Sequence, residues 1–164
     1  MEVILNNGIK ILIDEDDLIK LNGANLFLGR KRYIQLEIKN ESGKRVKFYL
    51  HRIIMNAKKG EYVDHINGDT FDNRKCNLRI CSNKENLRNT GKQKGSYTSK
   101  YKGVYYNSAR GKWVAKIVLD SKTNSKSKSK QFDTEEEAAL HYNKLALELH
   151  GEFAYLNEVK TCNI

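Results

Sequence analysis

Asp64 and His65 stand side by side, Asn77 follows twelve residues after the histidine, and Asn86 lies nine further on. These residue types suit hydrolysis of a phosphodiester. That reaction needs a base to activate water and a cation to neutralise charge on the phosphate and the leaving oxygen. A histidine, with an unperturbed pKa of about 6.5, suits the first task. A carboxylate and an amide oxygen are hard ligands suited to Mg²⁺ or Mn²⁺. From spacing alone, a surface turn with capping asparagines fits the same residues, and both readings stand at this point.

A second set of residues suits binding to nucleic acid. Lys126, Lys128 and Lys130 occupy every second position, so on a strand they share a face. Trp113, Ala115 and Ile117 alternate with Val114, Lys116 and Val118, and Tyr105 and Asn107 alternate with Val104 and Tyr106. We read one sheet face as carrying Tyr105, Asn107, Lys116, Lys126, Lys128 and Lys130, with Lys102, Arg110 and Lys112 as further DNA contacts. Such a face offers point charges to phosphates and polar groups to base edges. A three-stranded sheet can enter the major groove. Trp113 reads as core.

Charge supports this location. The net charge is +10, and residues 91–130 hold eleven Lys/Arg against one acid, Asp120. The remaining residues balance, nineteen basic to nineteen acidic, so the whole excess lies in one stretch. A localised basic surface attracts a phosphate backbone. The charge by itself fits a solvated Lys/Ser segment equally well.

Both sets need elements to position them. Val3–Leu5 and Ile9–Ile13 flank Asn7-Gly8, a hairpin signal because both turn positions accept positive φ. Tyr33–Ile38 and Val46–Leu50 read as strands, so the first fifty residues are expected to be all strand. A short helix is expected over His51–Ala57. Tyr62–His65 is a strand entering a polar loop, and a second strand centres on Leu78-Arg79-Ile80. Ser82 and Glu85 have capping-box spacing at the start of a helix. Residues 91–100 lack aliphatic side chains and read as a linker between a domain over 1–90 and one over 101–158, with 159–164 as a tail. In the second domain, Tyr101–Asn107, Lys112–Leu119 and Lys126–Phe132 are expected strands. Thr134–His150 is an expected helix, with Thr134 and Glu137 as its capping box. Ala138, Ala139, Tyr142, Leu145, Ala146 and Leu149 form one apolar stripe on it. The expected class is α+β: a β-rich first domain, then a three-stranded antiparallel sheet packed on one α-helix.

Several classes are set aside by composition. The cysteines Cys76, Cys81 and Cys162 are odd in number and form no Cys-x-x-Cys pair, which disfavours a disulfide framework or a zinc site. No apolar run approaches the roughly 20 residues of a membrane helix. Asn6, Asn7 and Lys10 interrupt the N-terminal stretch, so no leader is read there and a cytoplasmic location, the host cytoplasm if phage-encoded, is the expectation.

Two resemblances sharpen these readings. Leu50-His51-Arg52-Ile53-Ile54, Val63-Asp64-His65-Ile66-Asn67-Gly68, Asn77-Leu78-Arg79 and Ser82-Asn83-Lys84-Glu85-Asn86 resemble, in order, the HNH nucleases of the phage and intron homing-endonuclease group. The resemblance implies a ββα-metal fold over about 61–90, with His65 as general base and Asn77 holding it in orientation. Asp64 and Asn86 would bind the metal. Many relatives carry a third histidine where this chain has Asn86, which leaves the ligand set oxygen-only. His51 reads as packed or hydrogen-bonded beneath the site, and Asp69, Asp72 and Asn73 as turn residues, with contact to metal or DNA as the alternative.

The second half is similar to the plant APETALA2/ethylene-response-factor domain. The matching residues are Tyr101-Lys102-Gly103-Val104, Gly111-Lys112-Trp113-Val114-Ala115-Lys116-Ile117, Phe132-Asp133-Thr134-Glu135-Glu136-Glu137-Ala138-Ala139 and Ala154-Tyr155-Leu156-Asn157. That family reads DNA through its sheet. Tyr105, Asn107 and lysines stand here where plant members carry arginines, and lysine is the poorer bidentate reader of guanine. Together the resemblances imply a monomeric, metal-dependent homing endonuclease acting on double-stranded DNA. The alternatives are a DNA-binding regulator with an inactive nuclease domain, and an RNA-binding protein, which would explain the charge but not the Asp-His motif.

Overall fold

The computed structural model describes residues 1–119 and 126–160. The chain is α+β and divides into two compact units, Met1–Leu87 and Arg88–Ile164.

The first unit opens with a hairpin. Gly8 adopts φ +80°, its N–H donates to the Leu5 carbonyl, and β1 (Glu2–Ile4) pairs antiparallel with β2 (Lys10–Leu12). A helix follows, α1 (Glu15–Lys20). Its first turn carries Glu15, Asp16 and Asp17 and its last turn Lys20, which complements the helix dipole. This helix corrects the all-strand expectation for the first fifty residues, and the short strand β3 (Leu26–Leu28) follows it. The acid-then-base order after Asp14 is a helix signal that the hairpin reading overlooked. A three-stranded sheet is built in the order β3, β4 (Ile34–Lys39), β5 (Arg45–Tyr49), and β5 runs into α2 (Leu50–Ile54). Leu5, Ile11, Ile13, Leu26, Ile34, Leu36 and Leu50 form one core, with Phe71 packed against it.

The end of this unit is a ββα arrangement. The strands β6 (Tyr62–His65) and β7 (Leu78–Cys81) pair antiparallel, placing Asp64 opposite Arg79 and His65 opposite Leu78. Helix α3 (Asn83–Asn89) starts on its capping box. The Ser82 N–H donates to Glu85 Oε2 at 2.8 Å and the Glu85 N–H to Ser82 Oγ at 3.3 Å. The loop between β6 and β7 is tied back to the N-terminal elements. The Leu12 N–H donates to the Phe71 carbonyl (2.9 Å), and the Asn73 N–H donates to the Leu12 carbonyl (2.7 Å). Lys75 donates its N–H to Asp14 (2.8 Å) and its ammonium to Asp17 (2.7 Å). The hairpin and α1 thus act as a brace for the loop below the Asp-His pair.

In the second unit, β8 (Val104–Asn107), β9 (Lys112–Val118) and β10 (Ser127–Phe132) form an antiparallel sheet in the order β10-β9-β8, packed on α4 (Glu135–His150). Both capping-box bonds of Thr134 and Glu137 are present. The core joins Val104, Ala115 and Ile117 to Ala138, Ala139, Tyr142, Leu145 and Ala146 of the helix stripe, with Trp113 and Phe132 packed against it. Gly103 sits at φ +72°, and a Cβ there would lie 2.1 Å from the Tyr142 ring, so only glycine fits. Lys92 and residues 98–99, read as linker, are docked on this unit. The Lys92 ammonium bonds the Ser99 and Tyr101 carbonyls, and Thr98 Oγ1 accepts the Tyr106 N–H at 2.9 Å.

The register corrects one expectation. Directly opposed residues of an antiparallel pair share a face. Lys128 stands opposite Ile117 and Lys130 opposite Ala115, both helix-facing core residues. Ser129 stands opposite Lys116 and Gln131 opposite Val114, while Tyr105 also opposes Val114. The open face therefore carries Tyr105, Asn107, Lys116, Ser127, Ser129 and Gln131, and Lys128 and Lys130 lie on the helix side. Phe132 continues the parity of the lysines and packs on the core, which is the signal the sequence contained.

Candidate functional site

His65 is the last residue of β6 and is only 4% exposed; Asp64 beside it is 6% exposed. Burial lowers the His65 pKa below its ordinary value, against the opposing pull of the Asn73 hydrogen bond and of Asp64, Asp69 and Asp72. The imidazole is therefore neutral at pH 7 and able to accept a proton. The ring packs 5.2 Å from His51 and 6.0 Å from Tyr33, with Tyr49 beyond them against His51. His51 is 7% exposed, and burial, followed by His65 and Arg52, pushes its pKa down to about 3. The two buried imidazoles thus pack against Tyr33, with Tyr49 at the exposed edge of the cluster and His51 beneath His65.

The orienting partner differs from the expected one. His65 Nε2 lies 3.4 Å from Asn73 Oδ1, long for a hydrogen bond but within one small adjustment of a good one. Asn77 does not hold the ring. Its Nδ2 donates to the Asp72 carbonyl (2.8 Å), and its Oδ1 accepts the Asn67 N–H (3.0 Å). It clamps the loop that carries Asn73. Asp72 and Asp69 take turn roles. The Arg74 guanidinium binds both Asp72 oxygens (2.8 and 2.7 Å) and holds the carboxyl below the usual carboxylate range, and Asp69 accepts the Phe71 N–H.

Asp64 meets Arg79 directly across the ladder. Nε and Nη2 of Arg79 donate to Asp64 Oδ2 at 3.0 and 2.7 Å. Sequence reasoning quoted Arg79 within a motif but assigned it no role, because cross-strand pairing is invisible along the chain. Burial pushes the Cys81 thiol up; the Asp64 carboxylate adds to this, and the Asn86 backbone opposes it. Cys76 and Cys81 are free thiols, and Cys162 lies outside the described residues.

A divalent cation suits this donor set. One carboxylate and one amide are hard oxygen donors, and Mg²⁺ uses one or two carboxylates, several waters and substrate phosphates. Among the described residues no group of three or more His, Cys, Asp or Glu could hold a metal by itself.

In the second unit the expected DNA contacts separate into three groups. Tyr105 and Lys116 are exposed on the open face, with Asn107 half-buried at its end, and Arg110 is exposed in the turn beyond β8. Lys112 is paired with Asp133. Lys102 is turned inward: its ammonium donates to the Arg88 and Thr90 carbonyls and lies 5.3 Å over the Tyr155 ring, and burial lowers its pKa. It serves as a strut and not as a phosphate contact.

Comparison with known proteins agrees with this geometry. The HNH endonuclease family model matches residues 48–88, and the AP2 domain model matches residues 99–152. Protein 3.8 of Escherichia phage T7 is 36% identical over 96 residues, covering 58% of this chain and 75% of that protein. The chain belongs to the HNH endonuclease family. An uncharacterized HNH endonuclease of Acanthamoeba polyphaga mimivirus is 34% identical over 113 residues, covering 68% of this chain and 56% of that relative's length. No solved structure matches. The HNH domain thus contains the Asp64-His65 pair, and the AP2 domain contains the sheet and α4. Among the described residues no helix is long and apolar enough to cross a membrane.

Proposed function

We propose that this HNH protein is a DNA endonuclease that hydrolyses phosphodiester bonds, directed to duplex DNA by its AP2 domain. The observation that carries the reading is a buried His65 adjacent to Asp64 at the end of a strand. His65 takes a proton from the attacking water; the buried His51 packs behind it, and Asn73 orients it. Asp64 and Asn86 would hold Mg²⁺ or Mn²⁺, which when bound supplies charge neutralisation at the phosphate and leaving oxygen. We include a homing role, cutting an unoccupied site, and action as a monomer in the same proposal.

The test is cleavage of phage and host genomic DNA with mapping of the new ends. His65→Ala should lower the rate about 10²–10⁴-fold and leave duplex binding nearly unchanged, and chelation should stop cutting until Mg²⁺ or Mn²⁺ is restored. Cleavage by His65→Ala at the unmodified rate would remove His65 as the base. One observation favours a second reading, a DNA-binding regulator whose HNH domain does not cut: the Asp64 carboxylate is ion-paired with Arg79. That reading requires wild-type protein to bind duplex DNA in Mg²⁺ or Mn²⁺ with no new ends formed.

A further inference from the structure

The AP2 domain carries its unpaired positive charge on two different sides. The open face offers two strand-borne lysines, Lys116 and the Asp133-paired Lys112, among Tyr105, Asn107, Ser127, Ser129 and Gln131. On the helix side, Lys128 and Lys130 of the edge strand β10 lie next to α4. Lys130 places its ammonium 5.5 Å over the Phe132 ring, and Phe132 lies 5.0 Å from His141 of α4. Burial lowers the His141 pKa, and Lys130 and Lys144 lower it further, with Glu148 opposing. Lys144 stands three residues from His141 on the same helix face, and Lys130 reaches that side of the helix through Phe132. Among the described residues no carboxylate lies within ion-pair distance of Lys128, Lys130 or Lys144, in contrast to Lys112 with Asp133.

Such a ridge has a clear electrostatic partner. A three-stranded sheet is about 10 Å across at the usual strand spacing, and the major groove is about 12 Å wide. A sheet seated in the groove sets its edge strands against the phosphate walls. Side chains on the back of an edge strand then point away from the groove floor beside the phosphate wall, and lysine's flexible stem can fold over the strand edge to the backbone. The same strand presents only short neutral groups, Ser127, Ser129 and Gln131, to the bases, so it can approach closely. We propose that Lys128, Lys130 and Lys144 form a phosphate-binding ridge on the helix side of the AP2 domain, separate from the open face, which alone reads sequence. The inference rests on the reading that this domain binds duplex DNA through its sheet.

The experiment uses the full chain in EDTA, so that no DNA is cut. A random-sequence 40-base-pair duplex is titrated over a salt series, and a randomised duplex pool is enriched by binding. Lys128→Gln/Lys130→Gln/Lys144→Gln keeps much of each aliphatic stem and removes the charge. Removing one lysine–phosphate pair lowers the log–log salt slope by about 0.9, so the slope should fall by up to about 3. Affinity at 0.1 M salt should fall at least about tenfold, with the enriched sequence unchanged. The corresponding triple Lys→Arg variant should keep the slope. Tyr105→Ala/Asn107→Ala should change the enriched sequence and leave the slope within about one unit of wild type. An unchanged slope and affinity in the Gln variant would overturn the ridge, and so would a changed enriched sequence. Steep salt dependence of wild type shows that DNA binding itself holds whichever way the ridge result falls. Failure of wild type to bind the duplex overturns the underlying reading together with the ridge.

Discussion

The two domains keep their polar groups in opposite states. The HNH domain buries His51, Asp64, His65, Asp72, Asn73 and Asn77 around one loop. The AP2 domain buries few polar side chains, and Lys116 on β9 and Lys128 and Lys130 on β10 are exposed. A base needs a fixed position and a shifted pKa, and both come from removal of water. A phosphate surface needs charges that reach outward and stay solvated until DNA arrives. Burial shifts Lys102 and His141 in the AP2 domain as well, but the HNH domain gathers its buried polar groups around one loop, and the two should respond differently to acid and to small changes in packing.

Acid should separate them most. His51 is expected to titrate near 6.5 when unfolded and at about 3 when folded. A depressed folded pKa gives stability that is complete above the unfolded value and is lost as pH falls from about 6.5 toward 3. The maximum loss is about 5 kcal/mol at 1.36 kcal/mol per pKa unit. Hydrogen exchange of the β4 amides should accelerate over that window, while emission of Trp113, the chain's one tryptophan, changes little. His51→Phe should flatten the response. Equal acid sensitivity in both domains would remove the contrast.

The next effect lies in the AP2 domain. Gly103→Ala forces a Cβ into the Tyr142 ring at positive φ. Strain and overpacking together should cost about 2–4 kcal/mol, read as a lowered denaturation midpoint of Trp113 emission, with the acid response of the HNH domain unaltered.

Asn77→Ala should be smaller, about 1–3 kcal/mol, because it leaves the Asp72 carbonyl and the Asn67 N–H without their partner. Cleavage should weaken as well, since the released loop carries Asn73; stability comes from urea denaturation and rate from cleavage assays on one preparation. If the rate falls and stability does not, Asn77 acts on the chemistry and not through the loop.

The smallest expected change is Thr134→Ala, about 1 kcal/mol for a lost helix cap. It should appear in thermal unfolding of the AP2 domain, with cleavage chemistry untouched. A drop in rate without a drop in stability would mean that α4 does more than support the sheet.

Local features were legible before the fold was known. The Asn7-Gly8 hairpin, the capping boxes at Ser82/Glu85 and Thr134/Glu137, and the helix stripe of 138–149 depend on residues a few positions apart. Their physics is contained in a short window. Asp64-His65 was legible for the same reason, as neighbours at a strand end. The signal for α1 was also local, but a strong hairpin nearby drew the whole segment into strand.

By itself the sequence determined two domains, the candidate base and where the positive charge is concentrated. The tertiary structure decided which groups touch. Asn73, and not Asn77, reaches His65 because the loop is bound to β2 and α1. Arg79 meets Asp64 because the register of β6 on β7 sets them opposite. Period-two spacing made Lys128 and Lys130 share a face, but the side of the sheet they occupy depended on which residues of β9 they oppose. Pairing shifted by one residue would have turned every side chain of β10 to the other face, and that choice is made by the packing of Phe132 and Ile117 on α4.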